Sequence, residues 1–284
     1  MTEQRYEQVS EGMYVDAEFA AALSRPGLIS VDAVFAFEGG EDLSKSNLAS
    51  FRRRRRVRLD CPGVTVYLKC YDRPGRLTQL RNWLAHRRRA SMAAFDRGPS
   101  QELAAAGIAT PRVIAYGEQW QGLFEKRSFI ITQEIAGGEA LERRLPACFV
   151  GHQSRESIRA RRRFIEQLAD FARRFHATGL RHRDFYLSHI FLTDAGELYL
   201  IDLHRTFRPL VFGGRYRVKD IAQLHYSAPG EHISQTDRLR FYLRYAGRTR
   251  LGRSDRRFLR RVTSRAWRMA DHDIRHGRIV PFAM

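Results

Sequence analysis

The chain has 284 residues, 43% of them hydrophobic, and a formal net charge of +19 from 50 Lys and Arg against 31 Asp and Glu. That length suits one two-lobed domain or two small ones with a sizeable core, and no apolar run approaches the roughly 18 to 20 residues of a membrane span. The start, Met1-Thr2-Glu3-Gln4, lacks the basic and apolar regions of a signal peptide, and three scattered cysteines (Cys61, Cys70, Cys148) form neither a disulfide framework nor a metal spacing, so a reducing compartment is expected.

Only Lys45, Lys69, Lys126 and Lys219 are lysines; the remaining positive charge is arginine. Two causes are open: base composition of the genome, or a partner rich in negative charge such as lipid head groups, a phosphorylated glycolipid or nucleic acid. A chain that writes arginine almost everywhere yet keeps lysine at 69 marks a position where a compact ammonium is needed.

In chain order, residues 1–28 are polar and read as an N-terminal extension, with a helix around Asp16 to Ser24 ended by Pro26-Gly27. Val31 to Phe37 reads as a strand, followed by Gly39-Gly40, whose amides either face phosphate or merely close a hairpin. The arginine run Arg52 to Arg56 is too charged for a core strand and either faces solvent or meets an anionic surface. Val64 to Lys69 is a β-branched strand ending on lysine. Leu77 to Arg89 is a basic helix with Leu80, Trp83 and Leu84 on one side, suited to a membrane surface or to plain solvent. Ser91 to Gly107 holds another helix, which Pro99 should interrupt unless it falls in a first turn; Ser100 is a candidate cap. Thr110 to Gly117 and Ser128 to Thr132 are strands. The second runs through Gln133-Glu134-Ile135 into Gly137-Gly138, a hinge-like connector that sets the boundary between residues 29–136 and 137–284. Phe164, Ile165, Leu168, Ala169, Ala172 and Phe175 recur at helical spacing and make residues 157–178 an amphipathic helix, with Gly179 as its stop.

Next comes His182-Arg183-Asp184, a short apolar strand, the turn Thr193 to Gly196, and a second strand ending on Asp202. Two acids eighteen residues apart, joined by a hairpin, suit phosphoryl transfer from ATP. One carboxylate orients the attacking hydroxyl and the other holds Mg²⁺. The protein-kinase pattern is His-Arg-Asp, four residues, Asn, and later Asp-Phe-Gly. Here His189 stands at the Asn position, and Asp202 opens Asp-Leu-His. Residues 206–219 contain no Ala-Pro-Glu, which disfavours a peptide acceptor; Asp220 is expected to start a helix and to bond the catalytic-loop backbone. Helices continue from Asp237 to His276, with Leu239, Tyr242, Leu243, Phe258, Leu259, Val262 and Trp267 as core and their arginines mostly solvated.

The string from His182 to Leu192, the run Ile201-Asp202-Leu203-His204-Arg205, Arg127 to Thr132 and Lys219 to Leu224 resemble the lipopolysaccharide core kinase family, over roughly residues 30 to 250. That family phosphorylates heptose or Kdo sugars of the inner core and keeps His at the loop's last polar position. The resemblance implies a two-lobed protein-kinase-like α+β fold, with a β-rich N-lobe, a helical C-lobe and ATP between them. It implies Asp184 as base, Asp202 and His189 at Mg²⁺, Lys69 on the nucleotide phosphates, and adenine bonded to backbone near Glu134 and Ile135. Counting back from Gly107-Ile108, the acid that pairs with Lys69 falls on Asp96, with Glu102 as the alternative. The expected partners are the core glycolipid and the anionic inner-membrane surface, reached peripherally from the cytoplasm, with no specific nucleic acid. A Kdo, other glycan or small-molecule acceptor, or a catalytically silent kinase-like module, are the rival readings.

Overall fold

The computed structural model describes residues 6–43, 54–149 and 154–281. Two compact units emerge: Met1–Glu102 with Thr110–Ala136, and Leu103–Ala109 with Gly137–Met284.

The first unit carries β1 (Tyr6–Ser10), β2 (Met13–Asp16), α1 (Ala20–Ser24), α2 (Val31–Ala36), β3 (Glu41–Asp42), β4 (Arg54–Cys61), β5 (Val64–Asp72), α3 (Arg76–His86), most of α4 (Met92–Ala105), β6 (Val113–Gln121) and β7 (Phe124–Gln133). Its antiparallel sheet runs β1-β2-β6-β7-β5-β4-β3. Gly63 and Gly122, both at positive φ, close the β4–β5 and β6–β7 hairpins, where a left-handed residue is required. Strand alternation then sorts the side chains. Val66, Leu68 and Cys70 of β5 enter one core with Phe129 and Ile131. The opposite face packs Tyr71 against Met92, Ala93 and Phe95 of α4. Lys69 therefore emerges on the face that α4 covers.

Several expectations change here. Residues 31–36 are a helix, not a strand: Ser30 caps it by accepting from the Ala33 amide at 3.1 Å, and Val31 and Val34, one turn apart, are its buried residues. A short apolar run does not distinguish the two periods. Residues 6–28 carry β1 and β2, and Met13 and Val15 belong to the core. The helix at Ala20 is as expected, though only five residues long. Pro99 lies inside a single α4 rather than interrupting it, and Ser100 bonds Thr110 at 2.9 Å instead of capping. Arg54 to Arg56 begin β4, while Arg52 and Arg53 lie outside the described residues.

The second unit holds β8 (Glu139–Ala140), α5 (Leu141–Phe149), α6 (Arg155–Ala177), β9 (Ile190–Leu192), β10 (Leu198–Leu200), α7 (Gly213–Ser227), α8 (Gln235–Ala246) and α9 (Arg253–Arg275). A small antiparallel sheet runs β10-β9-β8. Ser154 caps α6, whose buried stripe holds the predicted Ile165, Leu168, Ala169, Ala172 and Phe175 together with Phe171, while Phe164, also predicted, is partly buried. Helix α7 starts at Gly213, seven residues before the expected Asp220. Of the predicted late core, Tyr242 and Val262 are buried, but Leu239 and Trp267 are 40% and 43% exposed. Among the described residues, no helix is long and apolar enough to cross a membrane.

Candidate active site

The chemistry-bearing loop lies between α6 and β9. Phe175 of α6 stacks on Phe185 at 5.2 Å between ring centres, and both are fully buried, which fixes the loop's floor. Burying one such ring contributes about 2 kcal/mol. From the other side α7 holds the loop backbone. The Asp220 carboxylate accepts from the amides of His182 and Arg183 at 3.0 and 2.9 Å. The Gln223 side chain accepts from the Phe185 amide at 3.1 Å and donates to the Arg183 carbonyl at 2.7 Å. Ser227 Oγ accepts from the Leu187 amide at 2.9 Å. Asp220, Gln223 and Ser227 are one turn apart, so a single helix face carries all three. Asp220 has the backbone-bonding role expected of it. Gln223 and Ser227 escaped the sequence reading, although that polar spacing on an apolar helix was the available signal.

This clamp stabilises a left-handed Arg183 (φ +70°), a conformation that costs a non-glycine residue of order 1 kcal/mol or more. His182 is buried and donates through Nε2 to the Ile201 carbonyl at 2.9 Å; burial lowers its pKa. His176 is likewise buried, between Tyr245 and Asp220, and its pKa falls chiefly by desolvation. Both rings are structural.

The Asp184 carboxylate accepts from Arg205 Nη1 through both oxygens, at 3.0 and 2.8 Å. His189 lies between the two acids. Its Nδ1 donates to the Asp184 carbonyl at 2.7 Å, while its Nε2 lies 3.8 Å from Asp202 Oδ2. With the proton on Nδ1, Nε2 presents a lone pair toward a carboxylate oxygen, beyond hydrogen-bond length. Two acceptors facing each other fit a cation between them. Asp202 sits at positive φ (+58°), another strained residue at a site-bearing position, and its Oδ1 accepts from His204 Nδ1 at 2.9 Å. One carboxylate and one imidazole fit a divalent ion, although Mg²⁺ ordinarily draws oxygen ligands. Lys219 donates to the Arg183 carbonyl, and burial lowers its pKa against the opposing pull of Asp184.

In the first unit, Lys69 Nζ meets Asp96 Oδ2 at 2.6 Å, and Tyr71 donates to the same oxygen at 2.9 Å. The Asp96 side chain is 9% exposed and that of Lys69 14%, so this is an interior pair. Of the two acids left open by the sequence, Asp96 is the partner; Glu102 is exposed further along α4. Tyr71, a third member, was not foreseen. Glu134 accepts from Arg58 Nε and Tyr67 OH, both at 3.0 Å, and its amide donates to the Thr65 carbonyl at 2.9 Å. Among the described residues, nothing in the protein bonds the Glu134 carbonyl or the Ile135 amide, which leaves a donor and an acceptor on the connector. Gly40 has φ +85°, and a Cβ there would collide with Val57 and the Arg58 carbonyl. Turning closely against β4 accounts for that glycine without a phosphate. Gly39 sits beside it, and residues 44–53, which follow β3, lie outside the described residues.

Comparison with known proteins bears on this arrangement. The lipopolysaccharide kinase (Kdo/WaaP) family matches residues 44–245. The lipopolysaccharide core heptose(I) kinase WaaP of Pseudomonas aeruginosa is 29% identical over 219 residues, covering 74% of this chain and 80% of its own. The Escherichia coli K12 protein of the same name is 28% identical over 216 residues, covering 72% and 80%. A solved structure of WaaP in complex with acyl carrier protein superposes with a TM-score of 0.67 and 25% identity, over 92% of this chain and 98% of that one. With the sheet-rich and helical units, the loop acids and the Lys69–Asp96 pair described, the chain belongs to the lipopolysaccharide kinase (Kdo/WaaP) family, whose fold is protein-kinase-like.

Proposed function

We propose that this protein transfers the γ-phosphoryl group of ATP to a heptose hydroxyl of the lipopolysaccharide inner core. The observation that carries the reading is His189, which bonds the Asp184 carbonyl through Nδ1 and turns its Nε2 toward Asp202 Oδ2 at 3.8 Å. Asp184 orients the acceptor hydroxyl and takes its proton. In a loose phosphoryl-transfer transition state this demands positioning more than strong basicity, so a carboxylate held by Arg205 suffices. Asp202, with His189, would hold Mg²⁺, which supplies charge neutralisation at the phosphates. Lys69, steered by Asp96 and Tyr71, holds the α- and β-phosphates, and the open Glu134 carbonyl and Ile135 amide take the adenine edge. Gly39 and Gly40 have less support as a phosphate cradle, because packing already explains Gly40.

A peripheral station on the cytoplasmic, anionic face of the inner membrane is part of the proposal. Its support is α3, where Leu77 and Leu84 are 72% and 78% exposed on a helix flanked by Arg76, Arg81 and Arg87. Likeness to the solved complex supports an acyl carrier protein as a further partner.

The test is radiolabelled ATP with purified inner-core lipopolysaccharide, in Mg²⁺ or Mn²⁺, followed by mapping of the product. Label on a heptose is expected. Label on Kdo or on another sugar would move the acceptor within the class, and no label with either metal would favour a silent binding module.

A further inference from the structure

Helix α9 is amphipathic: Val262, Ala266 and Ala270 face the core. Its opposite face, however, is not simply solvated. Together with α7 and the catalytic loop it walls a cavity of about 690 Å³. Seven arginines and one lysine are among its eleven lining residues, and no acid is. Arg257, Arg261 and Arg265 follow one another at single-turn spacing along α9; Arg215 and Lys219 project from α7 and Arg183 from the loop. Among the described residues, no carboxylate pairs with any of these arginines. The Nε of Arg183 is buried without a hydrogen-bond partner, although buried donors are normally satisfied.

Like charges crowded into a concave wall repel one another and focus a positive potential, so the groove is matched to several negative charges at once. Guanidinium forks suit carboxylate and phosphate oxygens in particular. The volume falls in the range of about 300 to 1,000 Å³ that takes a small ligand or oligosaccharide segment rather than a macromolecular face. Position decides among anions: Arg183 precedes Asp184, and Lys219 bonds the Arg183 carbonyl, so whatever fills the groove lies against the loop that carries the proposed base.

We propose that this arginine groove is the docking site for the acidic groups, carboxylates or phosphates, of the acceptor saccharide next to the sugar that is phosphorylated. Specificity for the acceptor is then set by its charge as well as by the reacting hydroxyl. The proposal rests on the acceptor reading above.

The test uses the full chain with the exposed double variant R257E/R261E, and R257Q/R261Q as a second pair should charge reversal impair folding. Calorimetry reads binding of a deacylated inner-core oligosaccharide, and kinetics read KM and kcat for acceptor and for ATP. The variants should raise the acceptor Kd and KM at least about tenfold, leave kcat and the ATP KM within about twofold, and flatten the salt dependence. An acceptor stripped of phosphate and with reduced carboxyls should bind wild type and variants equally weakly; which of the two treatments causes the loss identifies the charge recognised. Unchanged acceptor affinity in the variants overturns the proposal, as does selective loss of acyl carrier protein binding with an unaltered acceptor KM. If the wild type binds the oligosaccharide through these arginines but does not phosphorylate it, the kinase reading fails while the groove stands.

Discussion

The ammonium of Lys69 is held at 2.6 Å by a buried Asp96 that also accepts from Tyr71. A planar guanidinium cannot occupy that space and keep both contacts. Lys69→Arg and Asp96→Asn are therefore each expected to lower phosphate transfer by at least about a hundredfold, some 3 kcal/mol of transition-state stabilisation, with the protein still folded by circular dichroism. His189 is a second informative residue. His189→Ala should weaken Mg²⁺-dependent nucleotide binding, whereas His189→Asn, which offers an amide oxygen toward Asp202, should retain it; titration of nucleotide affinity against Mg²⁺ checks both. At this scale the sequence was most legible where order along the chain constrained the chemistry: the string singled out Asp184, His189 and Asp202, and the His189 ring bonds the Asp184 carbonyl at 2.7 Å and lies 3.8 Å from Asp202. It was least legible where the partner is distant in sequence and chemically ordinary. Nothing local marks Tyr71 as a ligand of Asp96.

At the scale of elements, α7 is the brace of the catalytic loop. Gln223→Ala removes two bonds to loop backbone and leaves a buried Phe185 amide unsatisfied. A stability loss of about 1 to 3 kcal/mol is expected, with kcat falling more than the acceptor KM rises; thermal unfolding and steady-state kinetics read the two parts. Long amphipathic patterns such as α6 and the β9–β10 hairpin could be read in advance, because their burial period extends over many residues or is pinned by a turn. Short elements could not. The six residues of α2 are too few for period to separate helix from strand, and the phase of α9 leaves Trp267 43% exposed, where its apolar character suggested core. Pro99 shows tertiary packing overriding a local rule, since the residues before it are bound into the sheet's second core.

For the whole molecule, stability should carry one identifiable acid-linked component. Glu125 is buried, and desolvation pushes its carboxyl up to about 7 from an ordinary 4.5, although the Met92 amide at 2.8 Å opposes the shift. A raised folded-state pKa means that the unfolded chain releases the proton first, so stability is full below about pH 4.5 and declines as pH rises through 7, by roughly 3 kcal/mol. Denaturant melts across that window should show Glu125→Gln losing this decline relative to wild type. The excess of positive charge likewise has a location as well as a magnitude, since the arginines of α9 and the catalytic loop gather in one groove. The central claim, however, is that the Asp184 loop does phosphoryl chemistry. It is tested most directly by comparing wild type and Asp184→Asn for transfer of the γ-phosphate of ATP to inner-core lipopolysaccharide, with nucleotide affinity measured alongside. Transfer reduced by at least about a thousandfold with nucleotide binding retained is the expected result; equal labelling of the acceptor by both proteins would contradict it.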